Sequence, residues 1–172
     1  GIEGAATWVT TAPDAVRDHL LTYTATYSGM FFEWFISRSD RSSFTADDML
    51  AVSALSVDVP TLAAQRLIAD EAREFRPLLA QADALLTHPG APAGLAEMDL
   101  DGELATTLSD LYVRVRDVPG LGKVSTSKLL ASKFPAHVPI RDARVEQLLG
   151  LTKSHEWWAP IQELLNNAGV AQ

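Results

Sequence analysis

Apolar residues recur every three or four positions along most of the chain, which is the spacing of one face of an α-helix. One start is marked by Thr45 with Asp48 three residues later, a capping-box pattern. Pro77 falls inside an apolar pattern and is expected to kink or split that helix. The pattern predicts helices over 13–21, 45–55, 60–68, 70–86, 104–115, 125–133 and 145–149, and an apolar helical face at 157–165.

The segment Tyr23–Tyr27 departs from this pattern, because it alternates and is rich in residues that favour strands. It is either a short strand or a loop. Since the other periodic segments are helical, we predict an all-α fold, a multi-helix orthogonal bundle with at most one short extended segment.

The clearest loop is HPGAPAG at 88–94, where proline and glycine alternate with small residues. It predicts an N-terminal helical lobe over 1–87, a loop over 88–100 and a second lobe over 101–172. The two lobes can equally pack as one domain, because 172 residues suffice for a single core.

Composition narrows the chemistry. The chain has no cysteine, which excludes disulfides, thiolate metal sites and cysteine nucleophiles. The four histidines form no pair at i, i+4, so we expect no metal site and no cofactor. No apolar run reaches the roughly 18 residues that cross a bilayer, and the first residues lack the pattern of a secretory signal. We therefore expect a cytoplasmic protein with no membrane partner.

Charge is unevenly distributed. The chain has a formal net charge of −8, yet the segment from Arg114 to Lys153 holds eight basic and only three acidic residues. This segregation is either chance clustering on a solvated surface or a basic face aimed at phosphates. Its basic residues are Arg114, Arg116, Lys123, Lys128, Lys133, Arg141, Arg144 and Lys153.

The stretch VPGLGKVSTSKLLASKF at 118–134 offers an anion site within that segment. Gly120 and Gly122 allow a tight turn whose amides point to one side, and the helix that follows adds its own unpaired amides. Such a site grips a backbone and does not distinguish bases. The residues predicted to contact phosphate here and in the next segment are Gly120, Gly122, Lys123, Ser125, Thr126, Lys128, Arg141 and Arg144.

The helix, the Pro-Gly-Leu-Gly-Lys turn and the second helix resemble a helix-hairpin-helix DNA-binding motif. The resemblance extends over about 104–150, because Asp142 follows Gly120 by 22 residues, as in the helix-hairpin-helix DNA glycosylase superfamily. It implies a duplex DNA partner and a catalytic Asp142 that stabilises the sugar cation as a flipped base leaves. Val124 stands where backbone-cutting members carry lysine, which implies monofunctional base excision without lyase activity.

Asp142 also has a structural interpretation, because aspartate is among the best helix N-caps. The aromatic group from Tyr23 to Phe35 also has two interpretations. It either packs in the core, which we favour, or lines a pocket that stacks an extruded base. For the whole chain, the alternative to a DNA-binding protein is a non-enzymatic protein–protein interaction module in which the hairpin only connects two helices.

Overall fold

The computed structural model describes residues 11–70, 72–151 and 157–167. These residues form nine α-helices and no strand, which confirms the all-α prediction. They also form one π-helical turn, Arg66–Asp70, and one 3₁₀ turn, Leu95–Glu97. The helices are α1 Pro13–Thr26, α2 Met30–Ile36, α3 Ala46–Ala54, α4 Thr61–Gln65, α5 Ala72–Thr87, α6 Glu103–Arg116, α7 Lys123–Lys133, α8 Ala143–Leu149 and α9 Trp158–Asn167.

The structure differs from the sequence expectations at two segments. Residues 23–26 continue α1, so the alternation at Tyr23–Tyr27 marks neither a strand nor a loop over most of its length. Pro77 lies inside α5 without splitting it, and the alternative, a kink at Pro77, stays a prediction. The capping box is confirmed. The Thr45 amide donates to Asp48 Oδ2 at 2.7 Å, and the Asp48 amide donates to the Thr45 side chain.

Helix α7 is the centre of the fold. It packs against α2, α3 and α6, and all nine residues from Ser125 to Lys133 are buried. The surrounding hydrophobic core draws Phe44, Phe75 and Leu79 from before the 88–94 loop and Leu108 and Leu130 from after it. The two predicted lobes thus share one buried cluster, and their boundary stays a prediction.

Polar residues inside α7 are accommodated by specific partners. Lys133 Nζ lies 2.5 Å from Asp48 Oδ2, and both side chains are completely buried. The Ser132 hydroxyl donates to Asp48 Oδ1 at 2.9 Å, and Lys133 also donates to the Asp40 carbonyl at 2.6 Å. Because a buried charge is tolerated only when it is paired and hydrogen-bonded, this network fixes the C-terminal end of α7 against α3.

Candidate nucleic-acid interface

The bend between α6 and α7 holds two glycines with different structural roles. Gly120 has a φ of 93°, a left-handed conformation, and a Cβ at this position would lie 3.2 Å from Pro60 Cγ. Gly122 has a φ of −122°, which any residue adopts, and a Cβ there would meet no atom within 4 Å. The fold therefore needs glycine at 120 and does not need it at 122.

Hydrogen bonds within the bend decide which amides face outward. The Leu121 amide donates to the Val118 carbonyl at 3.0 Å, and the Gly122 amide donates to Ser125 Oγ at 2.9 Å. The amides of Lys123 and Val124 begin α7 and have no partner among the described residues, as expected for a first helical turn. An anion at this bend would thus meet the amides of residues 123 and 124 rather than that of Gly122.

The structure narrows the predicted set of phosphate-binding residues, because four of the eight are buried: Ser125, Thr126, Lys128 and Arg141. Ser125 is committed to the Gly122 amide, and the Lys128 ammonium donates to the Leu55 carbonyl at the end of α3, at 2.8 Å. Burial lowers the pKa of Lys128, and the nearby carboxylate of Asp142 opposes that shift. Thr126 Oγ1 is buried without a hydrogen-bond partner among the described residues.

Glu146 of α8 pairs with two of the predicted phosphate contacts, the exposed Lys123 and the buried Arg141. Its carboxylate accepts from Lys123 Nζ at 2.9 Å and from the buried Arg141 side chain. Burial raises the pKa of Glu146, but the hydrogen bonds from Arg141 and Lys123 outweigh it and hold the pKa below the ordinary value. Arg141 in turn lies over the Trp157 ring, 5.5 Å from its centroid. Glu146 is not among the residues predicted from the sequence, although it is one of only three acidic residues in this basic segment.

The predicted basic face is therefore discontinuous. Two of its arginines are paired with carboxylates: Arg114 Nη1 lies 3.7 Å from Glu74 Oε1, and Arg116 Nη2 lies 3.4 Å from Asp117 Oδ1. Lys133 is buried, and Lys153 lies outside the described residues. Near the bend, the exposed positions that remain from the predicted set are Gly120, Gly122, Lys123 and Arg144.

Asp142 caps α8, as its structural interpretation predicts. Its Oδ1 accepts from the Arg144 amide at 2.8 Å and from the Val145 amide at 3.4 Å. The side chain is half-exposed, and Oδ2 has no hydrogen-bond partner among the described residues. The residue can thus hold the helix with one oxygen and present the other.

A second surface feature lies on α2 and α3. An open groove of about 680 Å³ is lined by Ser28, Met30, Phe31, Trp34, Phe35, Leu50 and Ala54. The prediction that the aromatic group packs in the core is wrong for Phe31 and Trp34, which are 48% and 53% exposed, whereas Phe32 is buried. The periodicity could not distinguish these outcomes, because apolar residues occupy nearly every position of α2.

The described part of the chain contains no cluster of three or more side chains suited to a metal ion. Its helices include none that is both long and apolar enough to span a membrane.

Comparison with known proteins places the chain in a family without assigning an activity. No curated protein and no solved structure matches it. A family model matches residues 14–172, nearly the whole chain, and carries the description "Family of unknown function". The chain therefore belongs to DUF6308, a family of unknown function.

Proposed function

We propose that this protein binds the phosphate backbone of duplex DNA at the bend between α6 and α7. The observation that carries the proposal is Gly122. Its backbone conformation is ordinary and the space around it is open, so no steric constraint at this N-cap position of α7 requires the absence of a side chain. Close approach of a ligand to the backbone does explain it.

The surroundings of Gly122 support an anionic ligand. The Lys123 and Val124 amides start an 11-residue helix, where the helix dipole favours negative charge. The exposed Arg144 lies two residues from Glu146, which bonds Lys123 at the start of α7. On binding DNA, the Lys123 ammonium would either leave the Glu146 carboxylate for a phosphate oxygen or donate to both groups at once.

Salt dependence of binding tests the proposal. The affinity for a duplex oligonucleotide should fall as the salt concentration rises. The logarithm of the binding constant should fall linearly with the logarithm of the salt concentration, with a slope of about −0.9 per phosphate neutralised. Arg144→Ala should weaken binding to all sequences alike and reduce the slope by about 1. Arg41→Ala is the matched control, because Arg41 is exposed and adjoins Asp40, which contacts the far end of α7. Binding that is absent at low salt, or flat with salt, contradicts the proposal.

Gly122→Ala gives the sharper test. We expect unchanged stability, because the added methyl group meets nothing in the fold, and weaker DNA binding, because it stands where the phosphate approaches. DNA affinity equal to that of the wild type would remove the bend from the interface.

The resemblance also assigns Asp142 a catalytic role in monofunctional base excision, and this role is supported by Oδ2, which the helix cap leaves without a hydrogen-bond partner among the described residues. Asp142→Asn should abolish release of a modified base from duplex DNA while leaving binding intact. Equal release by mutant and wild type would exclude Asp142 from the reaction.

A second candidate function, a protein–protein interaction module, is favoured by the groove on α2 and α3. Monomeric proteins rarely expose a contiguous apolar patch of this kind without using it. Loss of partner binding on changing groove residues, together with no DNA binding, would favour this candidate.

A further inference from the structure

A buried carboxylate, that of Glu146, lies between two basic side chains near the start of α7. Its two oxygens accept from Lys123 Nζ at 3.0 and 2.9 Å, and one of them also accepts from Arg141 Nε. Only 4% of the Glu146 side chain is exposed. We call these three residues the bend cluster. Its two cations were both predicted to bind an external anion, and in the folded chain both bind an internal one.

Two members of the bend cluster are held in place by the fold. The Arg141 amide donates to Ser127 Oγ of α7 at 2.9 Å, and the Arg141 guanidinium lies over the Trp157 ring. Glu146 lies within α8, and its side chain is buried. The Lys123 side chain, by contrast, is 46% exposed. Lys123 is therefore the member that can turn toward an anion in solution.

The charge of Glu146 decides what this turn costs. Burial raises the pKa of Glu146, but the hydrogen bonds from Arg141 and Lys123 outweigh it, so the carboxylate is ionised at neutral pH. Arg141 still pairs with this carboxylate when Lys123 leaves, so the departure of Lys123 does not create an uncompensated buried charge. A phosphate at the bend must nevertheless compete for Lys123 with a carboxylate that belongs to the same chain and is always present.

The other groups that could bind phosphate at the bend face no such competitor. The amides of Lys123 and Val124 have no partner among the described residues, and Arg144 is exposed. A phosphate at the bend can therefore use these groups in full, but it gains the Lys123 ammonium only at the expense of the bond to Glu146.

We propose that Glu146 sets the affinity of the bend for phosphate by competing with phosphate for Lys123. This inference rests on the proposed binding of DNA at the bend and identifies the residue that limits that binding. Loss of the carboxylate charge frees Lys123 for one additional phosphate contact. Glu146 thus acts as an internal substitute for the anion that the bend receives from outside.

Glu146→Gln is the direct test, because glutamine has nearly the same shape and keeps an acceptor for Arg141 but carries no charge. The affinity for a duplex oligonucleotide should rise roughly tenfold, as expected for one more hydrogen bond between charged groups. The slope of the salt dependence should steepen by about 0.9, as expected for one more neutralised phosphate. Adding Lys123→Ala to Glu146→Gln should remove both gains. An affinity no higher than that of the wild type, or a gain that survives the loss of Lys123, overturns the proposal.

Asp110→Asn is the charge-matched control, because it removes one exposed carboxylate of α6 that is not part of the bend cluster. This variant should leave the slope of the salt dependence unchanged. A gain equal to that of Glu146→Gln would show that net charge alone sets the affinity, and would overturn the role of Glu146.

Lys123→Ala in the otherwise wild-type chain decides the question if the circular dichroism spectrum shows that Glu146→Gln does not fold. Arg141 still pairs with Glu146 in this variant. Because Glu146 already holds Lys123, the substitution should weaken DNA binding less than Arg144→Ala does. A loss as large as that of Arg144→Ala overturns the proposal.

The outcomes also separate this inference from the proposed function. If neither the wild type nor Glu146→Gln binds DNA at low salt, DNA binding at the bend is contradicted and this inference with it. If both bind DNA with equal affinity, DNA binding stands and only the role of Glu146 is overturned.

Discussion

Lys133 and Asp48 form a completely buried ion pair between two helices 85 positions apart in the chain. The hydroxyls of Ser39 and Ser132 both donate to Asp48 Oδ1, at 2.7 and 2.9 Å. The pair joins α3 to the end of α7 opposite the glycine bend.

Removing the cation should destabilise the protein strongly. Lys133→Met leaves Asp48 as an uncompensated buried charge, which costs about 3–5 kcal/mol of unfolding free energy. Urea denaturation followed by circular dichroism measures this loss. The comparison variant is Arg114→Met, whose half-exposed partner Glu74 lies 3.7 Å away, and there we expect less than about 1 kcal/mol. Similar losses for the two variants would mean that the buried pair has no special role.

Stability should depend on the charge of Glu146. Its pKa in the folded protein is lowered from the ordinary 4.5, so its ionisation stabilises the fold above that pH. The contribution is lost as the pH falls from 4.5 through the lowered value. Glu146→Gln should therefore flatten the decline of the urea midpoint in this acidic range, while Asp40, whose pKa is also lowered through bonds from Ser42, still contributes to it.

The control for Glu146→Gln is Asp110→Asn, which removes one exposed carboxylate from α6. This variant should follow the wild-type acid profile. An unaltered profile in Glu146→Gln would show that Arg141 and Lys123 bind the neutral side chain equally well.

The two hairpin glycines should respond differently to alanine. Gly120→Ala places a side chain in a left-handed conformation, which costs about 1–2 kcal/mol, and brings Cβ to 3.2 Å from Pro60. Gly122→Ala should leave thermal unfolding unchanged. A large loss at 122 would contradict the open environment of that position.

Asp142 should contribute to stability as a cap and not through its charge. Asp142→Ala should cost about 0.5–2 kcal/mol, because the Arg144 and Val145 amides lose their acceptor. Asp142→Asn should retain nearly all of the stability that the cap contributes, since asparagine caps a helix as well as aspartate. Equal losses in the two variants, measured by urea unfolding, would point to a role for the charge, such as its attraction to Lys128.

The sequence predicted what local patterns determine. Most helix positions followed from apolar spacing, although α2 and the last turn of α1 did not, and the caps at Thr45 and Asp142 followed from short-range residue preferences. Burial of Lys128 and Lys133 could not be predicted, because their acceptors lie 73 and 85 positions away along the chain. Lysine is normally an exposed residue, so a count of charges along the sequence overstated the basic surface.

Enclosure of α7 from Ser125 to Lys133 has a mechanical consequence for anything that binds at the bend. Because α7 is buried from Ser125 onward, it cannot tilt or slide without disrupting its packing, so the bend at its exposed start should keep its position when a ligand binds. A ligand at Gly122 should meet a preformed surface, with little entropy lost on docking and no hinge to transmit a signal toward Asp48.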